Sequence, residues 1–131
     1  TRKHKIPGTS FQEVNKTAKI IFKQITSKTK RTPYIRSKYF KKEKVFLTLF
    51  WGHLFDKKEK DRVRRLKFYE CALDLIKNSS YDPETRENFM QKDELLHRFH
   101  GAILKSGEKF VAQIKENKRT KRKDLISIYP E

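Results

Sequence analysis

Cysteine is almost missing from this sequence: Cys71 stands alone in 131 residues. An internal disulfide is excluded, and a reducing compartment, the cytoplasm, is expected. The four glycines form neither a Walker loop nor a G-x-G-x-x-G fingerprint. Long apolar runs are missing too. The longest, Val45 to Phe55, is interrupted by Thr48, Gly52 and His53 and falls short of the roughly 20 residues a membrane helix needs. The basic N-terminus has no apolar h-region, so no secretory signal is expected. The chain opens on Thr1 rather than Met and is expected to be a trimmed form or a piece of something longer. Potential metal ligands are sparse. His97 and His100 are three apart, which suits a helix, but in a strand they point to opposite faces. With scattered acids and one Cys, no metal site and no cofactor are expected.

Acidic residues are the last shortage, and what outnumbers them is the strongest signal. Thirty-three Lys and Arg face 16 Asp and Glu, a net charge of +17. Residues 1–60 hold 17 basic and 4 acidic side chains, against 16 and 12 in residues 61–131. Such an excess costs self-repulsion unless a polyanion is the partner, and the phosphate backbone of RNA is the expected one. A membrane partner is not expected, because no helix combines a basic face with a broad exposed apolar one. Ten Phe, five Tyr and one Trp promise a real core, and the length suits one domain.

Residues 1–9 read as a flexible basic arm. Ser10 and Glu13 form a capping box, and Val14, Ala18, Ile21, Phe22 and Ile25 follow at helical spacing to about Thr26. Ser27 to Pro33 reads as a basic linker. From Glu43, the positions Val45, Phe46, Leu49, Phe50, His53 and Leu54 repeat as a second amphipathic helix. Asp56 and Glu59 form another capping box, opening a third helix that buries Val63, Leu66, Tyr69, Leu73 and Ile76 and ends at Asn78. Residues 79–92 read as a polar loop around Pro83. The period then changes: ELLHRFHGAIL, GEKFVAQIKE and DLISIYP read as three strands. The expected architecture is α+β, with three N-terminal helices on one face of a small C-terminal antiparallel sheet. Residues 1–42 form the arm and first helix, and residues 43–131 the helix–sheet domain, within one compact unit.

Polar side chains interrupt strands that should otherwise be plain. Gln113 and Lys115 alternate with Ala112 and Ile114; Ser127 and Tyr129 alternate with Ile126 and Ile128. Period-two geometry puts each pair on one face, and neighbouring strands can align them. A solvated sheet face would have the same pattern. The first strand adds either His97 or Arg98. Such a face has what RNA cleavage needs, because the ribose 2′-OH is an internal nucleophile. The protein supplies a base, an acid, and cations or donors for the phosphorane charge. His53, on an apolar stripe, reads first as a packing histidine. Arg64 and Arg65 read as solvated-face residues able to bind phosphate. Lys118, Arg119, Lys121 and Arg122, in the ENKRTKRK loop, are candidate phosphate anchors. Cys71, in an apolar helical segment, reads as core.

The segments LLHRFHG (95–101), FVAQIKEN (110–117) and ISIYP (126–130) resemble the phage-type branch of the barnase–EndoU–colicin–RelE nuclease superfamily. FWGHL (50–54) and DRVRRLKFYECALDLIKN (61–78) resemble its helical part. The resemblance covers roughly residues 43–130. It implies helices followed by an antiparallel sheet and a metal-independent RNase, of a kind that includes toxins acting on tRNA, rRNA or translating mRNA. The S-x-Y-P ending is similar to that of EndoU, which implies base recognition and phosphate positioning for Ser127 and Tyr129. EndoU-type sites pair two His with a Lys, implying His97, Lys115 and His53. If Arg98 rather than His97 shares the face, the site instead resembles the RelE style, built on basic residues.

The expectation is thus an endoribonuclease that leaves a 2′,3′-cyclic phosphate, a toxin or a phage or mobile-element factor, with an acidic antitoxin or immunity protein as a second partner. Its alternatives are a non-catalytic RNA- or DNA-binding module and a structural subunit of a ribonucleoprotein.

Overall fold

The computed structural model describes residues 1–131 as a mixed α+β structure of four helices and one six-stranded sheet. Helix α1 spans Phe11–Thr26. Half of its capping box forms: the Glu13 amide donates to Ser10 Oγ at 3.2 Å, while the Glu13 carboxylate accepts from that hydroxyl at 3.0 Å instead of from the Ser10 amide. Val14 and Ala18 are buried beneath it.

A hairpin absent from the sequence reading follows. Strand β1 (Tyr34–Ser37) pairs antiparallel with β2 (Glu43–Phe46). Lys41 and Lys42, both at positive φ, make the turn. The helix expected from Glu43 therefore begins only at Thr48, as α2 (Thr48–Phe55). Val45 and Leu47 are buried while Phe46 between them is half-exposed. That is the period of a strand, over a run too short for periodicity to separate from a helix.

The expected third helix is two. α3 (Glu59–Leu66) and α4 (Tyr69–Asn78) are broken at Lys67–Phe68. The break lets Phe68 stack on Phe110 at 5.4 Å. The Asp56–Glu59 capping box does not form; the N-cap is Lys58, without a side-chain hydrogen bond. Within the expected polar loop lies β3 (Glu84–Glu87), an edge strand whose composition disfavours strands and whose pairing with β4 imposes one.

The three expected strands are present: β4 (Glu94–Ala102), β5 (Lys109–Asn117) and β6 (Lys123–Pro130). The sheet order is β1-β2-β6-β5-β4-β3. Because β2 joins β6 in parallel, the sheet is mixed rather than antiparallel, and three helices follow its first two strands. The opening residues are docked rather than a free arm. Ile6 is buried, and its amide donates to the Lys67 carbonyl at 2.8 Å, at the α3–α4 break. The core lies on one face, where Phe50, Tyr69, Phe110, Ile114, Leu125 and Ile128 are fully buried. No helix is long and apolar enough to cross a membrane.

Candidate functional site

The other face of the sheet is free of helices and carries the polar side chains. Register settles which residues share it. Arg98 of β4 lies opposite Gln113 of β5, which lies opposite Ser127 of β6. Arg98 Nε donates to Gln113 Oε1 at 3.0 Å. His97 points the other way: it is 5% exposed and belongs to the core face. The parity left open between these two residues is resolved in favour of Arg98.

The row continues beyond the sheet. Strand β2 pairs with β6 only at Lys123 and Asp124, so the rest of β6 has a free edge, against which α2 and α3 pack. Arg65 of α3 reaches over that edge. Its Nη1 donates to Ser127 Oγ at 3.0 Å and to the Ile128 carbonyl at 3.5 Å, and its guanidinium stands 5.6 Å from the Tyr129 ring centroid. Asp61, one turn earlier, orients it by accepting from Nε at 2.9 Å, while Arg64 Nη2 donates to the other carboxylate oxygen at 2.9 Å. Partial burial raises the Asp61 pKa, but these hydrogen bonds and the two positive charges outweigh that and hold it below the ordinary value.

A bulge supplies the site's remaining feature. Gln113 faces Ser127 but the next residue, Ile114, faces Leu125, so Ile126 is the extra residue. It does not point into the core as its neighbour Ile128 does. Half-buried, it joins Phe50, His53, Leu54 and Lys57 of the α2 region in lining one small depression, of about 10 Å³, with Arg65 and Ser127. His53, expected to be a packing histidine, is exposed at this rim.

Other expected residues are placed elsewhere. Lys115 shares the open face but lies opposite Asp124, with Nζ 4.0 Å from Glu94. Lys118 pairs with Glu87 at 2.7 Å. Arg119 and Lys121 are exposed on the β5–β6 turn, and Arg122 lies over the Phe46 ring at 4.2 Å. His97 belongs to a separate buried polar row. Nε2 donates to the Glu116 carboxylate at 2.7 Å, and Nδ1 shares a 2.8 Å hydrogen bond with the Thr85 hydroxyl. Lys123 completes that row with a 2.7 Å bond to Glu43. Cys71 is buried, and loss of hydration pushes its thiol up to about 11.

One lining residue carries no signal in the sequence: Lys57 lies in the α2–α3 loop, outside any periodic pattern. His100 follows Arg98 by two and shares its face as alternation requires, between Glu84 (3.3 Å) and Glu131 (2.6 Å). No group of three or more His, Cys, Asp or Glu side chains is arranged to hold a metal ion. Comparison with family models, with curated proteins and with solved structures returns no match.

Proposed function

We propose that this protein is an endoribonuclease that cleaves by attack of the ribose 2′-OH on the adjacent phosphorus, releasing the 5′ oxygen and leaving a 2′,3′-cyclic phosphate. The observation that carries the reading is the depression shared by His53, Lys57, Arg65 and Ser127, continued across the open face by Gln113 and Arg98. His53 takes the 2′ proton; the Lys57 ammonium supplies one to the leaving oxygen. Arg65 and Arg98 hold the non-bridging oxygens as negative charge grows on them, and Tyr129 offers a ring to a base. Since the nucleophile belongs to the substrate, this chemistry calls on no metal. The three segments that resemble the barnase–EndoU–colicin–RelE superfamily are β4, β5 and β6, and a site built on arginine in place of a sheet histidine is closer to the RelE style. A toxin role with an acidic neutralising partner belongs to the same proposal.

One observation favours a second reading, a non-catalytic RNA- or DNA-binding module: Arg98 is already bonded to Gln113, and Arg65 to Ser127. Incubation with RNA in EDTA, with product ends analysed, decides between them. Cyclic-phosphate ends are expected. Arg98→Ala should lower the rate ~10²–10³-fold and His53→Ala ~10²–10⁴-fold, with thermal midpoints unchanged. His97→Ala should instead lower the midpoint. Tight, salt-sensitive binding by the parent without cleavage would select the second reading. Parent-like cleavage by both site variants would remove the catalytic assignment.

A further inference from the structure

At the far end of the open face lies a second depression, of about 720 Å³. It sits between the Ser27–Pro33 connection and strands β1 and β2. Five of its lining residues are cationic: Lys28, Lys30, Arg31, Lys44 and Arg122; none is acidic. Only Arg122 has a carboxylate partner, Asp124 at 3.2 Å; the other four have none within 4.0 Å. Two aromatic rings form the floor. Tyr34 and Phe46 are cross-strand partners at 6.2 Å, edge to face. Both are half-exposed and lie outside the hydrophobic core. Cations also stand against these rings: Lys44 is 4.6 Å from the Tyr34 centroid, and Arg122, besides its bond to Asp124, is 4.2 Å from that of Phe46.

We infer that this depression binds a single-stranded nucleic-acid segment, its bases on the Tyr34 and Phe46 rings and its phosphates on the lysines and Arg31. Aromatic rings recognise unstacked bases, whose faces a duplex hides, while unpaired cations track the backbone. The depression and the candidate cleavage site lie toward opposite ends of β6 on the same face: Arg122, just before the strand, and Ser127 are five residues apart with Ile126 bulged out between them, roughly 13 Å at strand rise. A strand lying along β6 would thus present its scissile phosphate at Ser127 and its flanking nucleotides here. The inference deepens the proposed RNA reading and rests on it for the identity of the strand, but it does not need cleavage.

The test uses the full chain and a fluorescent single-stranded RNA whose riboses are 2′-O-methylated, so that binding is read without turnover. Tyr34→Leu, which keeps an apolar side chain and removes the ring, should weaken binding about tenfold or more, and Tyr34→Phe should bind like the parent. Lys30→Ala with Arg31→Ala, both exposed, should shrink the slope of log affinity against log salt by about 1.4. A duplex of the same sequence should be insensitive to Tyr34→Leu. Equal losses for single-stranded DNA support the depression and widen its ligand to either sugar. Parent-like affinity in both Tyr34→Leu and the Lys30/Arg31 variant, or a loss confined to the duplex, overturns the inference. Should Arg98→Ala and His53→Ala leave cleavage unchanged while Tyr34→Leu loses binding, the cleavage site is wrong and this one stands. The reverse pattern sinks only the depression.

Discussion

At the scale of single residues, what could be read in advance was residue type, and what could not was orientation. Gln113, Ser127 and Tyr129 were found by alternation, because polar side chains at every second position of a strand can only share a face. The choice between His97 and Arg98 needed the pairing register, which a sequence does not contain. His53 falls on a buried stripe only in a helix that begins at Glu43; in α2, which begins at Thr48 and buries Phe50, Trp51 and Leu54, it faces out. Arg65 was recognised only as a possible phosphate ligand, since its grip on Ser127 spans 62 positions. That grip depends on Asp61, whose pKa is lowered in the folded protein. A depressed carboxylate stabilises the fold above its unfolded pKa, about 4, and the contribution is lost as pH falls through the lower folded value. Asp61→Asn should therefore lower the thermal midpoint at pH 7 relative to the parent, and the gap should close below about pH 4. Midpoints measured for both proteins across that range check this. A gap that persists unchanged in acid would show that the ionised carboxylate is not what holds Arg65.

Elements with their own local signals were legible, and those imposed by neighbours were not. α1 has a cap and a full apolar stripe; β4, β5 and β6 have clean alternation and turn residues between them. β3 reads Glu-Thr-Arg-Glu and is a strand only because β4 offers it an edge. The α3–α4 break has no glycine or proline to announce it and follows from the place Phe110 makes for Phe68. Gly101 in β4 gives this packing a measurable form. A Cβ there would fall 2.6 Å from Phe110 Cζ and 2.9 Å from Leu75 Cδ2, so α4 and β5 both close on this position. Gly101→Ala gains roughly 0.4–1 kcal/mol by restricting the unfolded chain, but overpacking costs about 1–3 kcal/mol. A net loss in the urea midpoint is expected. Smaller side chains at Leu75 should recover part of it, and a midpoint at or above the parent's would mean the Phe110 ring moves aside freely.

For the molecule as a whole, the charge map was legible from composition, but the division of the chain was not. The sequence suggests a flexible basic arm and first helix, residues 1–42, set before the helix–sheet domain of residues 43–131. The core contradicts this picture. Ile6, Val14, Ala18, Ile35 and Phe40 all belong to its cluster of 24 buried residues. Phe40 stands edge-on to His97 at 5.1 Å and to Phe99 at 5.8 Å, sealing the end of the sheet where the buried His97–Glu116–Lys123 row lies. Burial of a side chain of the Val, Ile or Phe class contributes about 1.5–3 kcal/mol. Four such losses together are comparable with the roughly 5–15 kcal/mol that separates a domain from its unfolded state. Removal would also take away β1 and leave β2 as a bare edge. A chain lacking residues 1–42 should therefore show no cooperative thermal transition and little amide dispersion, and its weak binding would say nothing about where phosphates are held. A sigmoidal transition within about 5 °C of the parent, a shift of the order that ~1 kcal/mol produces in a domain this size, would mean that the first helix and hairpin are accessories after all.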